Sequence, residues 1–132
     1  AALSNPKEII SLCDLLKKTK FNINTKVYNN LIAGCVRTNN LSGAMKVAET
    51  ILKNNNQKLT FNQLNSLICI SVLQNETKTA AVYMKEILKE TLLKRDYSHI
   101  TVPLTIMMSS YLDNGNYKEA FKLLQSVTKI TG

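Results

Sequence analysis

Four lysines recur at nearly regular intervals along the 132-residue chain, at Lys18, Lys53, Lys89 and Lys129. The intervals are 35, 36 and 40 residues. Such a row of ammonium groups could contact successive phosphates of an extended polyanion, and the formal net charge of +8 favours an anionic partner. Lysines near helix C-termini also stabilise the helix by about 0.3–1 kcal/mol each without any ligand, so this alternative stays open.

Groups that could carry catalysis or bind a metal are few. The single histidine, His99, has no acid or nucleophile at a recognisable spacing. Cys13, Cys35 and Cys69 form no CxxC pair and fall within helical apolar patterns, which favours reduced thiols in a core. There is no glycine-rich phosphate loop and no HExxH motif. We therefore expect no enzyme activity, no cofactor, no metal and no small-molecule substrate, and no apolar stretch reaches the roughly 20 residues of a membrane span.

The elements that must position the lysines follow a repeated helical pattern. Apolar stripes with the three- and four-residue spacing of one helix face start at Tyr28, Leu64 and Leu104. Sixteen residues after each start, a second stripe begins on a small residue that suits close helix packing, at Ala44, Ala80 and Ala120. Ile9, Ile10, Cys13 and Leu16 form a leading copy of this second stripe. The periods of 35 to 40 residues are typical of helical-repeat solenoids.

The pattern predicts an all-α fold, an α-solenoid of about seven helices in antiparallel hairpins. We assign 6–20 to the second helix of a partial repeat and 24–56, 60–95 and 98–130 to three repeats. The second helix of the middle repeat is predicted to be extended, from Glu76 to Arg95. We expect the whole to be a segment of a longer array.

Capping residues support these boundaries, although one register has an alternative. Asn40, Asn75 and Asn116 are predicted to cap second helices, and Thr60 and either Ser98 or Thr101 to cap first helices. The alternative arises because the segment 60–62 also resembles the start of a first helix, three residues before the Leu64 alignment.

The first repeat carries a recognisable motif. Residues 20–32 read Lys-Phe-Asn-Ile-Asn-Thr-Lys-Val-Tyr-Asn-Asn-Leu-Ile. This segment resembles the linker and helix start of pentatricopeptide repeats, the 35-residue helical hairpins of organellar RNA-binding proteins. The linker departs from the family pattern at Lys20 and Ile23, and Leu64 and Leu104 replace the usual Tyr in the later repeats. The resemblance implies a right-handed superhelix that binds single-stranded RNA.

The resemblance also implies specific contacts. In that family the residue after the helix-start Tyr contacts the edge of one base per repeat, together with the residue that closes the repeat. The first position corresponds to Asn29, Asn65 and Thr105 here, with Asn tending towards pyrimidines and Thr towards purines. The closing residue of the leading half-repeat is Asn24, and the closing residues of the next two repeats are Thr60 or Leu59 and Ile100. The residues expected to contact phosphate are Lys18, Lys53, Lys89, Lys129, Arg37, Lys94 and Arg95.

Two other functions stay open. Tyr111, Gly115, Tyr117 and Ala120 fit the pattern of tetratricopeptide repeats, which bind proteins, so a protein-binding scaffold in a ribonucleoprotein is the alternative. A purely structural spacer is the third possibility. The pentatricopeptide resemblance further implies a mitochondrial setting and a role in the stability, processing or translation of a transcript.

Overall fold

The computed structural model describes residues 6–19, 24–54 and 58–131, and this part of the chain contains seven α-helices and no strand. The first helices of the three hairpins are α2 (Thr25–Arg37), α4 (Phe61–Leu73) and α6 (Thr101–Asp113). The second helices are α1 (Pro6–Lys18), which precedes the first hairpin, α3 (Leu41–Asn54), α5 (Thr77–Lys94) and α7 (Tyr117–Thr131). The predicted all-α solenoid of seven helices is confirmed, and α5 is the longest helix, as expected. The predicted limits at positions 20 and 56 lie outside the described residues.

Each hairpin turns in the same way after its first helix. A residue with positive φ follows the helix at the equivalent position every time: Asn39 (55°), Asn75 (58°) and Gly115 (72°). The next amide then bonds back five residues, from Asn40 to Cys35 at 2.8 Å, from Glu76 to Ser71 at 2.8 Å and from Asn116 to Tyr111 at 2.7 Å. Asn and Gly tolerate this left-handed backbone better than other residues, which explains their recurrence there.

The turn geometry corrects two capping predictions. Asn40 does cap its second helix, because its Oδ1 accepts a hydrogen bond from the Gly43 amide at 2.9 Å. Asn75 does not cap α5: it occupies the left-handed turn, and Glu76 follows as an N-cap without a side-chain bond. Neither Ser98 nor Thr101 caps α6, since its N-cap is Ile100.

The ambiguous register is resolved at Thr60. Its hydroxyl accepts from the Gln63 amide, and the Gln63 side chain accepts from the Thr60 amide, so the two residues form a capping box. Helix α4 therefore begins at Phe61, and Leu64 is its fourth residue. Tyr28 and Leu104 are likewise the fourth residues of α2 and α6, which confirms the Leu64 alignment.

The core runs through the stack in two hydrophobic clusters. One joins α1, α2 and α3 to one side of α4, and the other joins the opposite side of α4 to α5, α6 and α7. Leu67 and Ile70 of α4 enter the first cluster, whereas Leu64 and Ile68 enter the second. Helix α4 is thus buried on both sides, as a central element of a solenoid must be, because each hairpin buries its apolar surface against its neighbours.

The small residues that begin the apolar stripes of the second helices are buried, as expected from their predicted place at helix crossings. The exposed fractions of Ala44, Ala80 and Ala120 are 0%, 0% and 4%. Packing between second helices is uneven, since α1 lies against α3 and α5 contacts α7, but the described parts of α3 and α5 do not come close to each other. No helix in the described part of the chain is both long and apolar enough to cross a bilayer.

Candidate RNA-binding edge

One edge of the solenoid brings together the starts of the first helices and the ends of the second helices, and we call it the loop edge. Its clearest contacts join α4 to α5. Lys94 Nζ, in the last turn of α5, lies 5.2 Å from the centre of the Phe61 ring at the start of α4. Lys58, just before α4, forms a 3.0 Å ion pair with Glu90 of α5. The predicted base-contacting residues therefore lie near the same edge as the predicted phosphate-contacting residues of the second helices, whereas Arg37, in the last turn of α2, lies at the opposite end of its hairpin.

The three residues expected to contact bases occupy the same place in each first helix. Asn29, Asn65 and Thr105 are the fifth residues of α2, α4 and α6. Since α2 packs on α4 and α4 on α6, these positions follow one another from helix to helix. Asn29 and Thr105 are exposed, and Asn65 is half-buried. The fold thus places three polar side chains at successive, equivalent positions near the loop edge.

Asn29 makes a contact that links two repeats. Its Oδ1 accepts a hydrogen bond of 2.7 Å from Nε2 of Gln63, the third residue of α4. Gln63 itself is buried, with an exposed fraction of 3%. Gln63 was not among the predicted site residues, and its only signal in the sequence was the Thr-x-x-Gln spacing of a capping box.

Asn65 and Thr105 have different surroundings. Asn65 Oδ1 is buried and has no hydrogen-bond partner among the described residues. The Thr105 hydroxyl donates to the Thr101 carbonyl at 2.7 Å, which leaves its oxygen free to accept another hydrogen bond. Thr105 also lines an open groove of about 460 Å³ between α4 and α6, together with Val72, Asn75, Ile106, Ser109, Ser110, Asp113 and Asn114.

The closing positions are the N-caps of the first helices, Asn24, Thr60 and Ile100. Asn24 is exposed, and its Oδ1 accepts from the Lys26 amide at 2.8 Å. Ile100 is buried at 5% exposure and has no polar side-chain group to offer a base. A base-edge contact from a closing residue is therefore chemically possible at the first two positions only.

The periodic lysines are all exposed. Lys18, Lys53 and Lys129 lie in the last turns of α1, α3 and α7, where the helix dipole alone would favour a cation. Lys89 is different, because it lies five residues before the end of α5 and therefore precedes the last turn of that helix. Lys53 forms a 2.7 Å ion pair with Glu49, whereas in the described chain no acidic group lies within 4 Å of the other three.

A pair of lysines outside the predicted set adds to the positive charge. Lys17 of α1 lies beside Lys46 of α3, and this contact between two lysines lowers the pKa of Lys17. Glu49 lies 3.9 Å from Lys17 and has a lowered pKa, mainly through its bond to Lys53. Three lysines thus surround one carboxylate at the end of α1 and along α3. Their convergence depends on helix packing, so their spacing in sequence did not reveal it.

The segment after α5 is also ordered by polar contacts. Arg95 ends the helix with a left-handed backbone (φ 52°) and is exposed, as are Lys94 and Arg37. His99 lies 3.5 Å from the Asp96 carboxylate and stacks on Phe61, with ring centres 4.3 Å apart. Hydrogen bonds from the Ser98 hydroxyl and amide lower the pKa of Asp96.

The cysteines are free thiols, as predicted. Cys13 and Cys35 are buried and Cys69 is half-buried. Burial raises the pKa of all three, to about 11 for Cys35, so the thiols stay protonated near neutral pH. Because the thiolate is the reactive form, these groups are poor nucleophiles.

Comparison with known families decides between the two repeat types. The family model described as PPR repeat matches residues 26–55 and 102–129, which correspond to the first and third hairpins. The chain thus contains pentatricopeptide repeats (PPR). No curated protein and no solved structure gave a significant match. The matched segments contain Asn29 and Thr105.

The middle hairpin lies between the two matched segments and is not itself matched by the family model. Its second helix, α5, has 18 residues, against 14 in α3 and 15 in α7. Its hairpin turn and its fourth-position apolar residue nevertheless match those of its neighbours, so the solenoid continues through it. The family assignment thus rests on the first and third hairpins, which lie on either side of the middle hairpin in one continuous solenoid.

Proposed function

We propose that this PPR protein binds single-stranded RNA along its loop edge. The observation that supports this best is the succession of three polar fifth residues, Asn29, Asn65 and Thr105, on stacked first helices of PPR hairpins. Each would contact one base edge, and Asn24, which closes the leading half-repeat, would contact the base before that of Asn29. Polar, uncharged groups suit this task because they can match the donors and acceptors of a base.

The phosphate contacts of the proposal fall to the basic residues of the loop edge and its surroundings. Lys18, Lys89 and Lys129 are exposed and have no close acidic partner in the described chain. Lys53 would have to exchange Glu49 for a phosphate, so we expect it to contribute less. Arg37, Lys94 and Arg95 complete the set.

The structure also offers a specific observation for the alternative, a protein-binding scaffold. The gap between α3 and α5 forms an open groove of about 490 Å³, with apolar walls from Met45, Leu52, Leu59 and Tyr83. Most of its lining comes from second helices, and none of Asn29, Asn65 and Thr105 is part of it. A protein partner on this surface is therefore compatible with RNA on the loop edge.

The setting we propose is the family's usual one, an organelle and specifically the mitochondrion, with a role in the stability, processing or translation of a transcript. The protein would act by binding alone, with no catalytic step. RNA recovered after crosslinking the protein in cells would identify the transcript, whereas recovery of protein partners alone would favour the scaffold.

A binding titration tests the proposal directly. We expect the protein to bind a labelled 12-nucleotide single-stranded RNA more tightly than the duplex of the same sequence. Thr105→Val and Asn65→Ala should each weaken single-strand binding by about three- to tenfold, the value of one hydrogen bond. Asn30→Ala is the matched control, since Asn30 is an exposed neighbour outside the row. Equal affinity for duplex and single strand, with no weakening in either variant, would contradict the proposal.

A further inference from the structure

The orientation of the Gln63 side chain is determined by the backbone. Its Oε1 accepts a hydrogen bond from the Thr60 amide at 3.0 Å. Because a backbone N–H can only donate, the amide oxygen of Gln63 must point to Thr60 and its nitrogen must point the other way. That nitrogen, Nε2, donates to Asn29 Oδ1 at 2.7 Å.

This order of donors and acceptors extends to Asn29. Since Gln63 presents a donor, the oxygen of the Asn29 amide must face Gln63, and its Nδ2 is directed away from that contact. Asn29 is exposed, and no described group accepts a hydrogen bond from its Nδ2. The chain from the Thr60 amide through Gln63 thus leaves Asn29 presenting an N–H donor to a ligand.

We propose that Gln63 is a positioning residue that sets which pyrimidine Asn29 prefers, an inference that rests on the proposed RNA-binding function. Uracil and cytosine present opposite groups at two places on their pairing edge. Uracil has an acceptor at position 4 and a donor at position 3, and cytosine has a donor at position 4 and an acceptor at position 3. Whichever of these atoms Asn29 contacts, turning its exposed group from donor to acceptor reverses the preference.

The arrangement is specific to the first junction between hairpins. The residue equivalent to Gln63 in α6 is Pro103, the third residue of that helix. Proline has no side-chain donor, and Asn65 Oδ1 has no partner among the described residues. The hydrogen-bonded relay from the Thr60 amide through Gln63 can therefore set the base preference of Asn29 only.

The test is Gln63→Glu, a change of almost identical shape. Glu also forms capping boxes, so the bond from the Thr60 amide is kept. The introduced carboxylate can only accept, so Asn29 must turn its Nδ2 towards it and expose its oxygen. We expect the ratio of affinities for 12-nucleotide oligo(U) and oligo(C) to move about tenfold in the direction opposite to the wild-type preference, because a hydrogen bond to one base is broken and a hydrogen bond to the other is formed.

The matched control is Gln74→Glu. Gln74 also bridges two hairpins, donating from Nε2 to Asn39 Oδ1 at 3.2 Å, but it does not contact Asn29. Both variants add one negative charge to a residue that bridges two hairpins, but Gln74 lies at the opposite end of α4, so only Gln63→Glu should change the ratio. Gln63→Met supplies a second variant without charge, in which Asn29 is released and the ratio should move towards one.

Side-chain amide NMR separates this inference from the proposed function. In the wild type the Asn29 NH2 protons should exchange rapidly with water, and in Gln63→Glu one of them should become protected. Protection together with a shifted ratio supports the relay. An unchanged ratio in a variant that still binds RNA, or unprotected Asn29 protons, overturns it. Failure of the wild type to bind either oligonucleotide overturns the proposed function and the base preference together, while the protons still report the orientation.

Discussion

The two junctions between hairpins share one register but differ in their polar contacts. Between the first and second hairpins, two glutamines form hydrogen bonds across the junction. Gln63 in α4 donates to Asn29, and Gln74, the C-cap of α4, donates to the Asn39 side chain. Between the second and third hairpins the equivalent residues are Pro103 and Asn114. Pro103 has no donor, and Asn114 Nδ2 bonds at 2.9 Å to the Ser110 carbonyl of the helix that it caps.

The difference has visible consequences at the second junction. Asn65 Oδ1 stays buried with no partner in the described chain, and the groove of about 460 Å³ opens between α4 and α6, with Asn75 and Asn114 in its lining. The spacing of apolar residues determines where the hairpins stack. The third residue and the C-cap of each first helix determine whether side-chain hydrogen bonds bridge the junction. Stacking and bridging are thus separate properties of this solenoid.

The largest expected effect concerns stacking. Ala80→Leu should cost about 1–3 kcal/mol of folding free energy, because Ala80 is fully buried between helices and extra volume forces them apart. Ala44→Leu should behave alike, and Ala120→Leu should cost less, since Ala120 is the one buried residue in the described part of α7. Thermal denaturation measures this. Unchanged midpoints in all three variants would show that the helix pairing is wrong.

A smaller effect is expected on breaking the bridge at the first junction. Asn29→Ala leaves the buried Gln63 Nε2 without an acceptor, so the free energy of unfolding should fall by about 1–2 kcal/mol. Urea unfolding would measure it. Asn30→Ala, a neighbouring exposed residue in the same helix, serves as the reference for helix propensity. Equal stabilities of these two variants would mean that the bridge contributes nothing.

The same truncation at the second junction should not lower the free energy of unfolding and could raise it. Asn65→Ala removes a buried oxygen that has no partner among the described residues and introduces a better helix former, so stability should stay equal or rise by up to about 1 kcal/mol. The same urea experiment compares it with Asn29→Ala. A decrease as large as that of Asn29→Ala would remove the distinction between the junctions.

The sequence predicted the stacking of the hairpins well because this stacking depends on the regular spacing of apolar residues. Tyr28, Leu64 and Leu104 are all fourth residues of first helices, and the three small anchors are all buried. Local rules predicted caps less well. Asn75 was expected to cap a helix, but the left-handed turn requires an Asn or Gly one residue earlier than the cap.

Contacts between repeats could not be predicted from the spacing of apolar residues or from local capping rules. Gln63 and Asn29 are 34 residues apart, and their bond depends on how closely α2 and α4 pack. The proximity of Lys17 and Lys46 has the same origin. A period identifies equivalent positions, but it gives neither the distance between helices nor the direction of an amide. The RNA contacts of the fifth-residue row and of the lysines stay predictions for the binding experiments.

The salt dependence of RNA affinity tests the central claim most directly, namely that the chain binds single-stranded RNA through lysines as well as base-contacting residues. For Lys53→Gln, Lys89→Gln and Lys129→Gln combined, the slope of log K against log salt should fall by about 0.7 for each phosphate that is no longer neutralised, with similar weakening for every RNA sequence. Thr105→Val should change which RNA is preferred and leave the slope nearly unaltered. If the lysine variants lower the melting temperature slightly while affinity and slope stay constant, the lysines only compensate helix dipoles, and the account of RNA binding is contradicted.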